Sequence, residues 1–469
     1  MPSDPALQAI RDKVLAGDRL TIADGDRLFT TPDIWTVLEL ADLVRRRLHG
    51  DRAYYNINRH MNYSNVCALS CKFCEFYRKK DDHGAYTRDL AYVREQARSA
   101  VNAGATEMHV VGGLHPYLPW EYYPQLVAAI REEAHAAGSD LHVKAFTAVE
   151  IVHLAKIAKV YKHSDRASGI RWVLSELKAA GLGSLPGGGA EVFDDRVHDE
   201  AFKGKIRSDV WLDVHRVAHE LGLNTNATIL YGHIEQRHDR LVHMEMLRRA
   251  QDRALARLGY TGVSIQESGN TEARHPGIEA TDSGHLGYAA DEGHDVPVIT
   301  LTRPGIPLPE HVAFGAAAHS VSSSLPHSVS SSQPSSGYFQ TIIPLPFIPD
   351  GSELEHLPGP TGLENLRTLA IARLMLDNIP HVKAFWIMQT LGMAQLMLQH
   401  GADDLDGTVV WYDITKLPMN AQGPSTHQEV TVWDLQRHIR EAGFTPVERD
   451  TVYRKVVRDG KQYRAAPPF

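Results

Sequence analysis

The feature that most constrains the fold is a regular alternation of short apolar runs and longer amphipathic segments, which starts near residue 53. The short runs have the length of β-strands, and the longer segments have the apolar period of helices. Such repetition is typical of a parallel sheet with helices outside it, and six or more units predict an α/β fold of the (β/α) TIM-type barrel, partial or full. The predicted strands cover residues 53–58, 107–112, 141–146, 183–186, 225–231 and 338–344, and the predicted helices cover residues 87–103, 120–137, 147–160, 171–181 and 208–221.

The segments outside this repeat differ in composition. Helix start signals at residues 4–5 and 30–33 predict N-terminal helices, the second ending near Gly50. Residues 261–337 lack periodicity and carry the tandem repeat HSVSSSLPHSVSSSQP, so we predict a disordered insertion, with a lid or partner-binding loop as the alternative. The predicted domains are an N-terminal helical segment 1–52, the first part of the barrel 53–260, the insertion 261–337, the remainder of the barrel 338–415 and a small C-terminal extension 416–469.

Three finer predictions concern the residues that follow the insertion. Residues 361–378 predict a helix that ends before Pro380, and residues 381–387 predict a further strand. Residues 416–426 predict a linker, and a last helix is expected near 432–442.

Charge and hydropathy exclude several classes of protein. The net charge of −8 is spread along the chain, which argues against sequence-independent binding to nucleic acid or to an anionic membrane. No apolar run reaches the roughly 18 residues that span a bilayer. The first 20 residues contain early acidic groups and no apolar core of a signal peptide. We therefore expect a cytoplasmic protein.

All three cysteines of the chain lie within eight residues of one another, as Cys67, Cys71 and Cys74. A CxxxCxxC loop can place three thiolates around one face of a [4Fe–4S] cluster and leave the fourth iron open to a small molecule. Electron-transfer clusters, by contrast, are held by four thiolates. The aromatic Phe73 before the last cysteine and the position shortly after a predicted strand favour this interpretation.

Three alternative roles for the cysteines stay open at this point. A structural zinc site would need a fourth ligand such as His60 or His83, and zinc spacings usually come as two separated pairs. A redox pair of Cys71 and Cys74 would leave Cys67 without a role. The simplest alternative is a chance cluster of buried thiols.

Several long strings give the chain a more specific resemblance. It resembles the radical S-adenosylmethionine superfamily and, within it, the aminofutalosine synthases of menaquinone biosynthesis. The strings are NVCALSCKFCEFYRK (65–79), VVGGLHPYLPWEYY (110–123), HVKAFTAVEI (142–151), GLGSLPGGGAEVF (181–193), TNATILYGHIE (225–235) and ARLMLDNIPHVKAFW (372–386).

The resemblance implies a [4Fe–4S] cluster and S-adenosylmethionine as cofactors, with the open iron as the site of S-adenosylmethionine. It also implies that the adenosyl radical adds to the enol double bond of 3-[(1-carboxyvinyl)oxy]benzoate. Rearrangement and loss of the carboxylate then give 6-amino-6-deoxyfutalosine, with methionine as the other product. An unidentified electron donor is expected, and a homodimer is compatible with the sequence.

Related enzymes share much of this pattern. The cyclase of the same pathway and the deazaflavin-cofactor synthases also carry CxxxCxxC and a stretch like GGGAE. The string HVKAFTAVE at 142–150 favours the synthase, because the cyclase tends to have a His-x-Leu-Ser-Pro-like stretch there. The chain departs from the family at 261–337 and near 159–169, outside the matched strings. A non-catalytic, metal-stabilised binding protein is the alternative from another class.

Strand ends supply the expected cofactor contacts. Glycines there would let the backbone approach the methionine moiety, Glu191 could accept hydrogen bonds from the ribose, and residues 231–235 could frame the adenine. For each of these the alternative is an ordinary strand-to-helix turn. The predicted cofactor-binding residues are Phe73, Gly112, Gly113, Gly188, Glu191, Gly232 and Glu235.

The implied substrate is a dianion, so the site should offer cations or hydrogen-bond donors. Lys144 is the strongest candidate, because a lysine inside an apolar strand is costly unless it is paired or functional. Its alternative role is an ion pair with Glu150 at the rim of the barrel. His115 and His233 are the other predicted catalytic residues, and Arg78 is a further basic group near the cysteines.

Overall fold

A computed structural model of the chain describes residues 4–259, 263–266, 298–301, 336–408 and 430–466. The helices are α1 Gln8–Ala16, α2 Ile22–Thr30, α3 Ile34–His49, α4 Leu90–Asn102, α5 Tyr122–Ala136, α6 Ala148–Ile157, α7 Arg166–Ala179, α8 Asp195–Ala201, α9 Ser208–Glu220, α10 Arg237–Arg257, α11 Gly362–Met375, α12 Trp386–Gln389, α13 Leu391–Leu398 and α14 Val432–Glu441, with 3-10 turns at Pro5–Leu7 and His163–Asp165. The strands are β1 Arg52–Asn56, β2 Asn58–Asn62, β3 Glu107–Val111, β4 His142–Ala145, β5 Leu182–Leu185, β6 Asn224–Tyr231, β7 Val263–Gln266, β8 Val298–Leu301, β9 Phe339–Pro346, β10 His381–Val382, β11 Asp404–Gly407, β12 Thr445–Glu448, β13 Val456–Asp459 and β14 Gln462–Ala465.

Seven parallel strands form the main sheet in the order β10-β9-β6-β5-β4-β3-β2. Strand neighbours in space follow one another along the chain, except that β7 and β8 lie between β6 and β9 in sequence. At least one helix separates each strand of this sheet from the next, as a parallel connection requires. The arrangement confirms the predicted α/β fold as a curled, partial (β/α) TIM-type barrel.

The first predicted strand, 53–58, is two strands that belong to different sheets. β1 pairs with β11 on one side and β12 on the other, whereas β2 pairs with β3 of the main sheet. The change of partner takes place at Ile57, within one continuous run of strand-forming residues. Strand propensity does not distinguish one pairing partner from another, so the pattern alone could not reveal this division.

Residues near the C-terminus complete the sheet around β1. The predicted C-terminal extension supplies β12, and Arg449 just beyond it pairs with Asp404 of β11 at 2.5 Å. An isolated bridge between Lys383 and Asp404 joins β11 to the end of β10. The predicted linker 416–426 lies outside the described residues, and the predicted helix near 432–442 is α14.

Other predictions need smaller corrections. The N-terminal segment contains three α-helices rather than two, since Thr21 and Asp24 form a capping box that starts an additional helix. The strand predicted over 381–387 ends after two residues, because α12 begins at Trp386. Helix α7 starts earlier than predicted, where the Asp165 side chain accepts a hydrogen bond from the Ser168 N–H.

The predicted insertion lies mostly outside the described residues, including its serine repeat. Within it, β7 and β8 pair as an antiparallel ladder. Among the helices that the structure describes, none has the length and apolar character needed to cross a bilayer.

Candidate active site

The three cysteines lie on the loop that joins β2 to α4, at the C-terminal end of the first barrel strand. Two other segments hold this loop through its backbone. The Lys72 N–H donates to the Ala201 carbonyl at 2.9 Å, and the Lys72 carbonyl accepts from the Glu353 N–H at 2.9 Å. Within the loop, the Cys74 N–H donates to the Cys71 carbonyl. Burial raises the pKa of the Cys71 thiol to about 11 and also raises the pKa of Cys74.

The three sulfur atoms of this loop do not all lie within 4.8 Å of one another. Zinc bound to sulfur at about 2.3 Å would hold its ligand atoms about 3.8 Å from one another. In the described part of the chain, the one set of three potential ligand atoms within 4.8 Å of one another is His49, His381 and Asp403. That set is already charge-balanced, because Arg373 pairs with Asp403. The cysteine sulfurs thus do not form a preassembled site for a single zinc ion.

Two glycines allow the end of β3 to pack against the start of the cysteine loop. A Cβ atom on Gly112 would lie 2.6 Å from the Tyr63 ring, and one on Gly113 would lie 2.4 Å from the Val66 carbonyl oxygen. Both glycines line the cavity described below, but the contacts that exclude a side chain are made with protein. Because neither glycine has a Cβ atom, their main role is to let the cysteine loop pack closely against the end of β3.

Glu150 connects helix α6 to the same strand end. Its Oε1 accepts hydrogen bonds from the Gly112 N–H and the Tyr63 hydroxyl, each at 3.0 Å, and its Oε2 accepts from the Thr147 N–H at 2.8 Å. The Glu150 side chain is thus the N3 member of the capping box of α6. Burial raises the pKa of Glu150 to about 7, although these hydrogen bonds favour the anion.

The glycine-rich turn after β5 leads to a buried ion pair beside the cysteines. A Cβ atom on Gly187 would lie 2.6 Å from the backbone of Ala227, so this turn packs directly on β6. Glu191 has a φ of +49° and pairs through Oε1 with Lys205 Nζ at 2.5 Å. The same ammonium lies 4.8 Å from the centre of the Phe73 ring. Although burial lowers the pKa of Lys205, Glu191 and the thiols of Cys71 and Cys74 together hold it above its usual value.

One cavity of about 390 Å³ joins these features at the C-terminal ends of the barrel strands. Its lining includes nine of the residues predicted to form the site. They are Cys67, Cys71, Phe73, Cys74, Gly112, Gly113, Lys144, Gly188 and Glu191. The site residues from three different strand ends and from the cysteine loop therefore face a single space.

A polar layer lies deeper in the cavity, across three neighbouring strands. His60, His109 and Lys144 are register partners on β2, β3 and β4, and all three line the cavity. Lys144 Nζ lies 2.6 Å from Glu107 Oε1, so its partner is Glu107 and not Glu150, the partner that its alternative role assumed. The sequence interpretation was wrong on this point, because Glu107 is brought close by strand pairing rather than by distance along the chain.

A second buried ion pair completes this layer. Lys383 Nζ lies 2.9 Å from Asp406 Oδ1, and both residues line the cavity. The side chains of Lys144 and Lys383 are 4% and 2% exposed, so both ammonium groups are shielded from bulk water. Lys383 was not singled out in the sequence, although it shows the same signal as Lys144, a lysine within an apolar run at a strand end.

Charges in the polar layer follow from burial and pairing. Burial would raise the pKa of Glu107, but Lys144 and the other nearby cations outweigh it and hold that pKa well below its usual range. Burial lowers the pKa of Lys144, and Glu107 offsets part of the effect. Burial lowers the pKa of His60 to about 4 and that of His109 well below its usual value. Both histidines are therefore neutral at physiological pH.

Two predicted catalytic histidines are not among the residues that line the cavity. The His115 Nδ1 accepts hydrogen bonds from the backbone N–H groups of Tyr117 and Leu118, and its Nε2 lies 3.0 Å from Thr87 Oγ1. The His233 Nε2 donates to the Leu230 carbonyl oxygen at 3.2 Å. Contacts within the protein thus engage both ring nitrogens of His115 and one ring nitrogen of His233.

The predicted adenine-binding stretch is also occupied by contacts within the protein. Glu235 accepts hydrogen bonds from the N–H groups of Gly232 and His233 and pairs with Arg240. Neither Gly232 nor Glu235 lines the cavity. Arg78 donates to two carbonyl groups of the cysteine loop, which makes it a part of that loop's own structure.

Two family models match this chain. Residues 61–247 match the model of the radical SAM superfamily, and residues 335–460 match that of the CofH/MqnC C-terminal region. The first match contains the cysteine loop and strands β3 to β6, and the second contains β9 to β13.

Relatives and solved structures agree with these matches. The chain is 35% identical over 457 residues to the aminodeoxyfutalosine synthase of Thermus thermophilus, which covers 97% of this chain and 96% of that one. It is 35% identical to the aminodeoxyfutalosine synthase of Streptomyces coelicolor, over 95% and 92% of the two chains. Against 5-amino-6-(D-ribitylamino)uracil--L-tyrosine 4-hydroxyphenyl transferase of Methanopyrus kandleri, it is 29% identical over 90% of each chain.

Two solved structures show the same fold at low sequence identity. Methylornithine synthase superposes with a TM-score of 0.55 at 15% identity, over 93% of this chain and 97% of that chain. The FeFe-hydrogenase maturase HydG from Carboxydothermus hydrogenoformans superposes with a TM-score of 0.56 at 12% identity, over 96% and 80% of the two chains.

Proposed function

The chain belongs to the radical S-adenosylmethionine superfamily and, within it, to the family of the aminodeoxyfutalosine synthases, and we propose that it catalyses the reaction that this name describes. It is an enzyme of the transferase type that acts on a small molecule. The proposed substrate is 3-[(1-carboxyvinyl)oxy]benzoate, and the proposed product is 6-amino-6-deoxyfutalosine in menaquinone biosynthesis. The observation that carries the proposal is one cavity with three cysteines at its outer end and two buried lysines at its base.

Enzymes of this superfamily use a [4Fe–4S] cluster and S-adenosylmethionine, and we propose Cys67, Cys71 and Cys74 as the cluster ligands. The three cysteines line one cavity, and the backbone contacts that hold their loop in place fit this group. When bound, the cluster and S-adenosylmethionine supply a 5′-deoxyadenosyl radical by reductive cleavage. The three cysteines of the chain are all assigned to this one cluster, and we propose an unidentified, separate protein as the electron donor.

Protein groups around the cysteines are suited to bind S-adenosylmethionine. We assign Glu191 to the ribose hydroxyls, because its carboxylate lines the cavity and Lys205 fixes its position. Gly112, Gly113 and Gly188 present backbone without side chains to the same space, and Phe73 closes it beside the cysteines. The geometry favours this set over Gly232, His233 and Glu235, which are engaged in their own turn.

Lys144 keeps its proposed role in binding the substrate, with Glu107 in place of Glu150 as its partner. For His115 the geometry favours a structural role, because both ring nitrogens already have partners. A cytoplasmic location and a homodimer stay predictions of the sequence.

The test is product analysis of the anaerobically reconstituted enzyme. The enzyme is incubated with a reductant, S-adenosylmethionine and 3-[(1-carboxyvinyl)oxy]benzoate, and the products are identified by mass. We expect methionine and a product that retains the adenosyl group, both absent when the benzoate is omitted. Free 5′-deoxyadenosine without an adenosyl-bearing product would refute the proposal and favour a hydrogen-abstracting relative such as the cyclase.

A further inference from the structure

The two lysines at the base of the cavity have hydrogen-bond donors to spare. An ammonium group has three N–H donors. In the part of the chain that the structure describes, Lys144 Nζ has one acidic contact, Glu107, and Lys383 Nζ has one, Asp406. Both side chains line the cavity, so the remaining donors can reach a ligand there.

The ion pairs explain how two ammonium groups persist at this depth. An isolated buried ammonium would lose its proton rather than bear the cost of desolvation. Glu107 and Asp406 supply a matching negative charge beside each ammonium group, as buried charges require. A ligand carboxylate would then accept charge-assisted hydrogen bonds from both groups, which are stronger than bonds between neutral partners.

The cavity becomes apolar between this base and the cysteine loop. Alternate residues of a strand face the same side, so His109, Val111 and Gly113 follow one another from the base to the cysteines. Four residues of strand correspond to about 13 Å. On β6 and β9, the cavity-lining residues at the end nearer the cysteines are Leu230 and Leu345. An elongated ligand with one acidic end and an apolar middle matches this order.

We propose that Lys144 and Lys383 form one acid-binding site that holds the benzoate carboxylate, and that this contact directs the alkene of the substrate toward the cysteine loop. The proposal rests on the proposed function. The ring carboxylate is the end farthest from the alkene, whereas the enol carboxylate is attached to the alkene itself. Only the ring carboxylate can therefore reach the base while the alkene stays near the cysteines.

Substrate analogues test this orientation. The kcat/KM for the adenosyl-bearing product is measured with 3-[(1-carboxyvinyl)oxy]benzoate and with 2-phenoxyacrylate, which lacks the ring carboxylate. We expect the kcat/KM of the native enzyme to be roughly 10- to 100-fold higher for the benzoate. This factor corresponds to the usual contribution of a hydrogen bond to a charged group. In K383M/D406N, which avoids an unpaired Asp406, the preference should fall by a similar factor, mainly through KM. The single variant K383R should retain part of the preference for the benzoate.

A surface ion pair of the same chemistry provides the matched control. Lys13 pairs with Asp24 at 2.8 Å outside the cavity, so K13M should keep the native preference. Binding of the benzoate to the oxidised enzyme, without reductant, is measured by calorimetry as a readout independent of turnover. An unchanged preference and unchanged affinity in K383M/D406N would overturn the proposal. Absence of any adenosyl-bearing product from the native enzyme would instead refute the proposed function.

Discussion

Glu150 Oε1 accepts a hydrogen bond from the backbone N–H of Gly112 at 3.0 Å, and this bond joins the start of helix α6 to the strand end that packs against the cysteine loop. The carboxyl group is only 2% exposed and also accepts from Tyr63 and Thr147. Burial nevertheless raises its pKa from 4.5 to about 7. Desolvation of the anion thus outweighs the hydrogen bonds that favour it.

The first prediction is a pH dependence of stability that comes from Glu150. Because its pKa is higher in the folded chain than in the unfolded one, the folded state binds the extra proton. The stabilisation is complete below about pH 4.5 and is lost as pH rises through about 7. Its full size is about 3 kcal/mol for a shift of this size. We expect the free energy of unfolding in urea to fall from pH 5 to pH 8 more steeply for the native chain than for E150Q. Parallel profiles for the two proteins would contradict the assignment.

The second prediction concerns Cys71, the most buried of the three cysteines. We expect C71S to lose the cluster and all turnover, because a serine hydroxyl is a far weaker ligand for iron than a thiolate. Iron and acid-labile sulfide analysis after reconstitution measures the loss. S70A provides the control, since Ser70 is an exposed neighbour on the same loop and should retain native iron content. Native iron content and turnover in C71S would show that Cys71 is not a ligand.

The barrel could be predicted from the sequence because its signals are local. Apolar runs, helix caps and glycine at strand ends each depend on a few neighbouring residues, and they located the cysteine loop at the correct end of the sheet. Pairing between distant residues could not be predicted in this way. The alternative role for Lys144 paired it with Glu150, six residues along the chain, whereas the observed partner is Glu107, which the register of β3 and β4 brings close.

The same limit explains the histidines. His115 and His233 follow strand ends, which is where a barrel enzyme carries its chemistry. Yet the His115 Nδ1 and the His233 Nε2 each form a hydrogen bond within a local turn. His109 and Lys383 line the cavity from a strand and from the residue after one. The direction in which each side chain of a strand points depends on the register of that strand. An apolar run with no clear alternation does not reveal this register.

The third prediction tests the packing of the cysteine loop on β3. A Cβ atom on Gly113 would lie 2.4 Å from the backbone carbonyl oxygen of Val66, which has no flexible end that can move aside. We expect G113A to lower the free energy of unfolding by about 1–3 kcal/mol, the usual cost of overpacking. Gly392 in helix α13 is the control, because a Cβ there would meet no atom within 4 Å. G392A should be neutral or more stable by about 1 kcal/mol. Equal stability of G113A and the native chain would show that the packing of the cysteine loop on β3 does not require a glycine at this position.

The last prediction concerns the ion pair of Glu191 and Lys205. The Lys205 ammonium interacts electrostatically with Cys71 and Cys74, and Glu191 opposes it from 2.5 Å away. Reduction adds negative charge to a cysteine-bound cluster, so a nearby cation favours the reduced state and a nearby anion disfavours it. We therefore expect K205M to lower the midpoint potential of the cluster and E191Q to raise it.

Titration followed by electron paramagnetic resonance, without S-adenosylmethionine, measures both potentials independently of catalysis. The double variant K205M/E191Q should return close to the native potential, because it removes both charges of the pair. K205R keeps the cation and should stay near the native value. Shifts of the same sign in K205M and E191Q would indicate that the substitutions distort the cysteine loop, and that the charges of the pair do not set the potential.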